Sequence, residues 1–242
     1  MYPRIVWLYW AQGWDKAPEL CQKVRKSWEM LNPTWEIRAL SYRDVTALID
    51  MTHFPHDNII QIQSDFIRLS LLATYGGVWA DSTLLCMKPL DSWLPEDAPF
   101  FMFRGSLLGK HNPTGSCTWF LACKKDCYTM KKWRDALIDR WNNVKTPRWM
   151  MSPLFTWNYF SIDYMFDKIQ KEDEMCKREW NSVRYIPCYD TMMLIFKFTG
   201  YSYEIENKLK NDPPPVLKLD WRVKSSDPET NINVAFRTIF SE

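Results

Sequence analysis

Tyr75-Gly76-Gly77-Val78-Trp79-Ala80-Asp81-Ser82-Thr83 (YGGVWADST) closes a strongly apolar run with two glycines, a short apolar stretch, one carboxylate and two hydroxyls. The preceding segment, Ser64 to Tyr75, predicts a helix capped by Ser64, with Phe66, Ile67, Leu69, Leu71, Leu72 and Ala73 forming a wide apolar face. Gly76 ends it. Val78-Trp79-Ala80 then reads as a short buried strand that delivers Asp81 to its carboxyl end. In open α/β sheets ligands sit outside the carboxyl ends of the strands. A carboxylate there can meet a metal or a ligand hydroxyl; the bland alternative is a simple turn through Asp81, Ser82 and Thr83.

Outward from this stretch, short β-branched and aromatic segments alternate with helical ones. Residues 4–10 (RIVWLYW) and Trp35–Leu40 predict strands, separated by a helix over Glu19–Leu31 that stops at Asn32-Pro33. Ser41 caps a short helix reaching Ile49. Leu84–Met87 and Pro99–Arg104 read as extended, Trp119–Trp141 as mainly helical, and Tyr159–Lys171 as a helix. Asp212 to Pro215 form a stiff linker or turn before a last strand over Val216–Trp221 and a polar tail. The alternation argues for an α/β sandwich with a largely parallel sheet. With 242 residues, no internal repeat and no boundary signal, a single domain over 1–242 is expected.

Composition excludes several classes. Hydrophobic residues make up 46%, which is globular and not disordered. Lys and Arg number 31 against 29 Asp and Glu, so nothing in the charge balance suggests nucleic-acid binding. No apolar run is long enough to span a membrane. The 7 cysteines are odd in number and irregularly spaced, and no leader precedes the first strand, so reduced thiols and a cytoplasmic location are expected. Cys123 and Cys127 with His111 and Cys117 upstream form no CxxC pair, so buried free thiols are expected over zinc. The histidines, His53, His56 and His111, are too few for a His-rich metal site. Gly105 to Lys110 misses the phosphate-loop spacing by one residue and is rejected as such. The 14 tryptophans suit either a core or an aromatic cleft.

Two further groups of residues bear on chemistry. Asp65 and Arg68 are three apart on one helix, and form either a surface ion pair or a polar pair beside Asp81 able to hold sugar hydroxyls and offset phosphate charge. Trp7 and Tyr9 share one face of the first strand, whereas Trp10 opens onto the edge that Asp81 reaches, where an aromatic can stack on a base.

Together, in this order, these groups carry a resemblance. IVWLYWAQGWDKAPEL followed by NPTWEIRAL, and SDFIRLSLLATYGGVWADSTLL, resemble the N-terminal and central signatures of the capsular polysaccharide synthesis proteins. They also resemble the wider group of DXD-containing sugar transferases related to family 32 glycosyltransferases. The likeness covers residues 3–95 well and the rest loosely, with KLDW (Lys218 to Trp221) similar to a closing segment.

The resemblance implies a GT-A fold, one nucleotide-binding α/β domain with a mixed, largely parallel sheet flanked by helices. Residues 1–95 would form the donor half, and 96–242 the acceptor half with a closing segment. It implies sugar transfer from a nucleotide donor, a UDP-sugar, to a glycan or polysaccharide, assisted by Mn²⁺ or Mg²⁺ and with retention of configuration. Asp65 and Arg68 would contact the donor sugar, Trp10 with Tyr9 the base, and Asp81 with Ser82 the diphosphate. Thr83 stands where many relatives carry the second acid, so Asp81 and Thr83 make a poor pair of metal ligands unless substrate phosphates complete the site. Lys218 is expected as a second cation at the diphosphate. An inverting reaction would need a carboxylate base, for which Asp163 and Asp190 are candidates.

The missing second acid also motivates the alternative of a non-catalytic sugar-nucleotide or glycan-binding module on the same fold. A structural protein with an aromatic core would bind no nucleotide. The sequence leaves open whether the chain belongs to a longer multidomain protein.

Overall fold

Two left-handed glycines let a buried helix turn straight into a buried strand. Gly76 (φ 69°) and Gly77 (φ 91°) occupy backbone that disfavours a side chain. A Cβ on Gly77 would lie 2.7 Å from the Ile5 carbonyl oxygen. In this computed structural model, residues 1–54, 60–105, 116–143, 161–192, 202–220 and 230–240 are described.

The main sheet has the order β2-β1-β3-β6-β5. Its strands are β1 (Ile5–Tyr9), β2 (Glu36–Leu40), β3 (Gly77–Ala80), β5 (Phe100–Arg104) and β6 (Ser116–Cys123). β1 pairs in parallel with β2 and β3, whereas β6 runs antiparallel between β3 and β5. Four of the five strands therefore point one way, giving the expected mixed, largely parallel sheet. A small second sheet pairs β4 (Leu84–Cys86) antiparallel with β7 (Val216–Lys218), opposing Leu84 to Lys218.

Helices α1 (Glu19–Leu31), α2 (Tyr42–Leu48), α3 (Ile60–Tyr75), α4 (Tyr128–Asn143), α5 (Ser161–Glu172), α6 (Glu174–Ser182), α7 (Tyr203–Asn211) and α8 (Asn231–Phe240) complete the described residues. Ser41 caps α2 in a reciprocal box with Asp44. The indole N–H groups of three fully buried tryptophans reach backbone carbonyls, Trp7 to Gly76, Trp28 to Leu84 and Trp133 to Ile162. These rings are core, each with its polar atom satisfied.

Four expectations need correction. Ser64 is not an N-cap, because α3 starts at Ile60 and Ser64 lies inside it. The stretch from Trp119 is not helical until Tyr128. Residues 116–123 form β6, since Phe120, Leu121 and Ala122 are buried between β3 and β5, where a strand pairs both its edges. The last strand stops at Lys218 and not at Trp221, which lies outside the described residues. The tail is not merely polar, as α8 buries Ile232, Val234, Ala235 and Phe236. The start of the expected helix at Tyr159, along with His56, His111 and all of Gly105–Lys110 except Gly105, also falls outside the described residues. All 7 cysteines are unpaired and buried.

Candidate active site

The site is built where β1 and β3 end together. Because they run parallel with Trp7 opposite Trp79, the residues following each strand emerge on one edge, Trp10 from β1 and Asp81 from β3. Asp81 is anchored there by its own backbone: its N–H donates to the Trp119 carbonyl at 3.0 Å, and its carbonyl accepts from the Leu84 N–H at 2.8 Å. Its carboxylate is gripped on both oxygens. Oδ1 accepts from Arg68 Nη2 and from Trp79 Nε1, each at 3.0 Å. Oδ2 accepts from Lys218 Nζ at 2.6 Å, and the same ammonium donates to Thr83 Oγ1 at 2.7 Å.

Each partner arrives by a different route. Trp79 precedes Asp81 by two along the chain and so shares its side of the strand. Arg68 projects from α3, only 5% exposed, lies 3.4 Å from Asp65 through Nη1 and stacks 5.1 Å from the Trp79 ring. Lys218 comes from 137 residues away, carried in by the pairing of β7 with β4.

Burial and charge set the protonation of the carboxyls in opposite senses. Burial pushes Asp65 up to about 7; Arg68 opposes this, while the charges of Asp163 and Asp81 add to it. Burial likewise raises Asp163 to about 6, against the hydrogen bond from Ser116 at 2.7 Å. Burial would also raise Asp81, but Lys218 and Arg68 outweigh it and hold that carboxyl below the usual range. At neutral pH Asp81 is the fixed anion and Asp65 is near its titration point.

This gives a test on stability. Asp163 keeps its proton in the folded protein up to about pH 6, while an ordinary carboxyl loses it near 3.8. The folded state therefore binds more protons across that window, and stability falls as pH rises through it. Asp163→Asn is expected to flatten that part of a denaturation-against-pH profile; an unchanged slope would show that Asp163 is not held protonated.

The structure brings together Asp65, Arg68, Asp81, Thr83 and Lys218, with Asp163 close enough to act on Asp65. Trp10 lies half-buried on the same edge, and Ser82 sits half-buried in the turn between Asp81 and Thr83. Tyr9 is a correction. It is 5% exposed and donates from its hydroxyl to Gln63 Oε1 at 2.6 Å, so it braces β1 against α3 and offers no face for stacking. Asp190 is the other: it lies exposed in a short turn and pairs with Lys208 at 3.0 Å, not with any of the described cluster residues. Trp79 was missed as a site residue, although its place two before Asp81 was a signal. So was Ser116, which no local pattern marks.

The donor set does not fit the divalent ion expected on Asp81 and Thr83. Every oxygen those two side chains offer already accepts from a cation or an N–H, and the ammonium fills the space between them. Among the described residues no three His, Cys, Asp or Glu side chains cluster to hold a metal. A ligand oxygen is better served: Arg68 Nε is buried and has no acceptor among the described residues.

The model of the capsular polysaccharide synthesis proteins matches residues 1–237. The chain belongs to that family. Relatives of the chain include the putative glycosyltransferase HOC1 of Saccharomyces cerevisiae, 26% identical over 105 residues, covering 40% of this chain and 26% of that protein. The glycosyltransferase afumC of Aspergillus fumigatus is 25% identical over 161 residues, covering 58% of this chain and 41% of that one. The chain thus spans less than half the length of these relatives. Among solved structures, the ligand-free glycosyltransferase domain of the YGT toxin superposes with a TM-score of 0.50 at 11% identity, covering 100% of this chain and 90% of that one. Both relatives are named as glycosyltransferases, and the toxin domain shares the fold. None of the helices among the described residues is long and apolar enough to cross a membrane.

Proposed function

We propose that the chain is a glycosyltransferase domain that moves a sugar from a UDP-sugar to a glycan or polysaccharide hydroxyl. The observation that carries this reading is the chain of contacts Asp65–Arg68–Asp81–Lys218, assembled on the edge where ligands of open α/β sheets sit. Trp10 supplies the stacking face for uracil. Arg68 and Lys218 face the diphosphate, and Asp65 accepts from a sugar hydroxyl beside them. The donor occupies the part of the edge built by residues 1–95, and the acceptor enters from the second half. Buried free thiols suit a reducing, cytoplasmic compartment.

In the reaction the bond from the sugar's anomeric carbon to the β-phosphate oxygen breaks, and UDP keeps the electron pair. The acceptor oxygen forms the new bond and loses its proton. With retention, that proton passes to the departing phosphate oxygen, so no protein base is required. Fixed cations lower the barrier most where negative charge grows, at that phosphate. Asp163, bonded to Ser116 and largely enclosed, positions Asp65 electrostatically and stands in this reading as no base.

Screening UDP-sugars with glycan acceptors for released UDP tests the reading. Release from one donor is expected, and Trp10→Ala should weaken UDP binding by about 1–3 kcal/mol in calorimetry. UDP binding without turnover of any donor would favour the non-catalytic binding module. That module is the second reading, motivated by Thr83 in place of a second acid.

A further inference from the structure

The resemblance places a divalent ion at the diphosphate, and the residues that would hold it are instead saturated by a lysine. We propose that the Lys218 ammonium is the built-in cation of this site, so that the diphosphate is bound and released without a divalent ion. The inference rests on the UDP-sugar reading above and deepens it.

Three observations carry it. The first is position. Lys218 Nζ bridges Asp81 Oδ2 at 2.6 Å and Thr83 Oγ1 at 2.7 Å, the same two side chains expected as metal ligands. A magnesium ion sits about 2.0–2.1 Å from its oxygens and could not share that space with an ammonium. The second is support. Lys218 is the last residue of β7, opposite Leu84 of β4, and the adjoining Leu219 N–H donates to the Thr83 carbonyl at 2.9 Å. Backbone pairing on both sides of the loop therefore fixes the lysine against Asp81, and its side chain is only 17% exposed. The third is chemistry. Threonine at position 83 offers a neutral hydroxyl, which suits an ammonium better than a second carboxylate would, because one lysine cannot balance two acids.

The charge then works. Lys218 and Arg68 bring two positive charges to one Asp81 carboxylate, leaving the cluster net positive toward an arriving diphosphate. Asp65, near its titration point at neutral pH, offsets part of that excess without cancelling it. An ammonium has three N–H donors. Two are used among the described residues, and the third is left for a phosphate oxygen. Arg68 Nε is buried without an acceptor among the described residues.

The test is calorimetric titration of UDP into the chain, in EDTA and again in excess Mn²⁺, for the native protein and Lys218→Met. Native affinity in EDTA should lie within about threefold of that in Mn²⁺, while Lys218→Met loses about ten- to a hundredfold, the worth of a charge-assisted hydrogen bond. Binding that disappears in EDTA and returns with Mn²⁺ would overturn the lysine assignment and leave the donor reading intact. Unchanged affinity in a folded Lys218→Met would overturn it too. Absence of UDP binding in both conditions would sink the donor reading and this inference with it. Should Lys218→Met fail to fold, the two native titrations still decide.

Discussion

Asp81→Ala is expected to destabilise the folded chain by about 3 kcal/mol and to abolish UDP binding, although it removes only a small side chain. Its carboxylate is the shared acceptor of Arg68, Lys218 and the Trp79 indole. Without it the buried guanidinium keeps only Asp65, at 3.4 Å, and the ammonium keeps only a hydroxyl. An uncompensated buried charge costs about 3–5 kcal/mol, and the residual contact with Asp65 puts the expectation at the lower end. Asp81→Asn should cost less, since an amide oxygen still accepts from Trp79 or Arg68. Urea denaturation at constant slope measures both. A loss below about 1 kcal/mol for the alanine variant would mean that these pairs behave as exposed ones. The effect on binding has a separate cause: Lys218 and Arg68 are aimed by Asp81, and without it two like charges repel each other in one pocket.

Gly77→Ala is the other large effect, and it tests the turn and not the charges. The added methyl would meet the Ile5 carbonyl at 2.7 Å and crowd the Trp7 indole nitrogen at 3.3 Å. Both belong to β1, the strand that β3, the middle one of the five, must pair with. The left-handed φ of 91° disfavours any side chain by itself, at about 1–3 kcal/mol, and overpacking against backbone adds about 1–3 kcal/mol more. A loss of about 3 kcal/mol or more is therefore expected by thermal or urea unfolding. Weakened pairing of β1 with β3 would also separate Trp10 from Asp81, so UDP affinity should fall even in molecules that remain folded. A loss under about 1 kcal/mol would show that β1 and β3 can part without cost to the core.

Most of the cluster around Asp81 was legible along the chain because its parts are local. The helix, the glycine pair, the strand and Asp81 follow one another in 22 residues from Ile60 to Asp81, and each step has its own signal: apolar face, φ-permissive residues, β-branched and aromatic run, emerging carboxylate. Asp65 and Arg68 are likewise tied by helical spacing. Where the reading slipped, two patterns competed. The stretch Trp119–Cys123 is continuously apolar, and periodicity cannot separate a fully buried strand from a buried helix. Neighbours on both sides decided it, since β6 must fill the gap between β3 and β5. Tyr9 slipped for a related reason: alternation predicted its face correctly but not that Gln63 would be waiting there for its hydroxyl.

By itself, then, the sequence determined the family, the alternating α/β order and the delivery of one carboxylate to a sheet edge, because those properties follow from neighbours in the chain. It named Lys218 as a cation near the diphosphate only through the resemblance. Only the tertiary structure decided that this lysine, 137 positions further on, lands between Asp81 and Thr83. The physical reason is that strand pairing sets its register: β7 against β4 opposes Lys218 to Leu84, and a slip of one residue would turn its side chain to the other face.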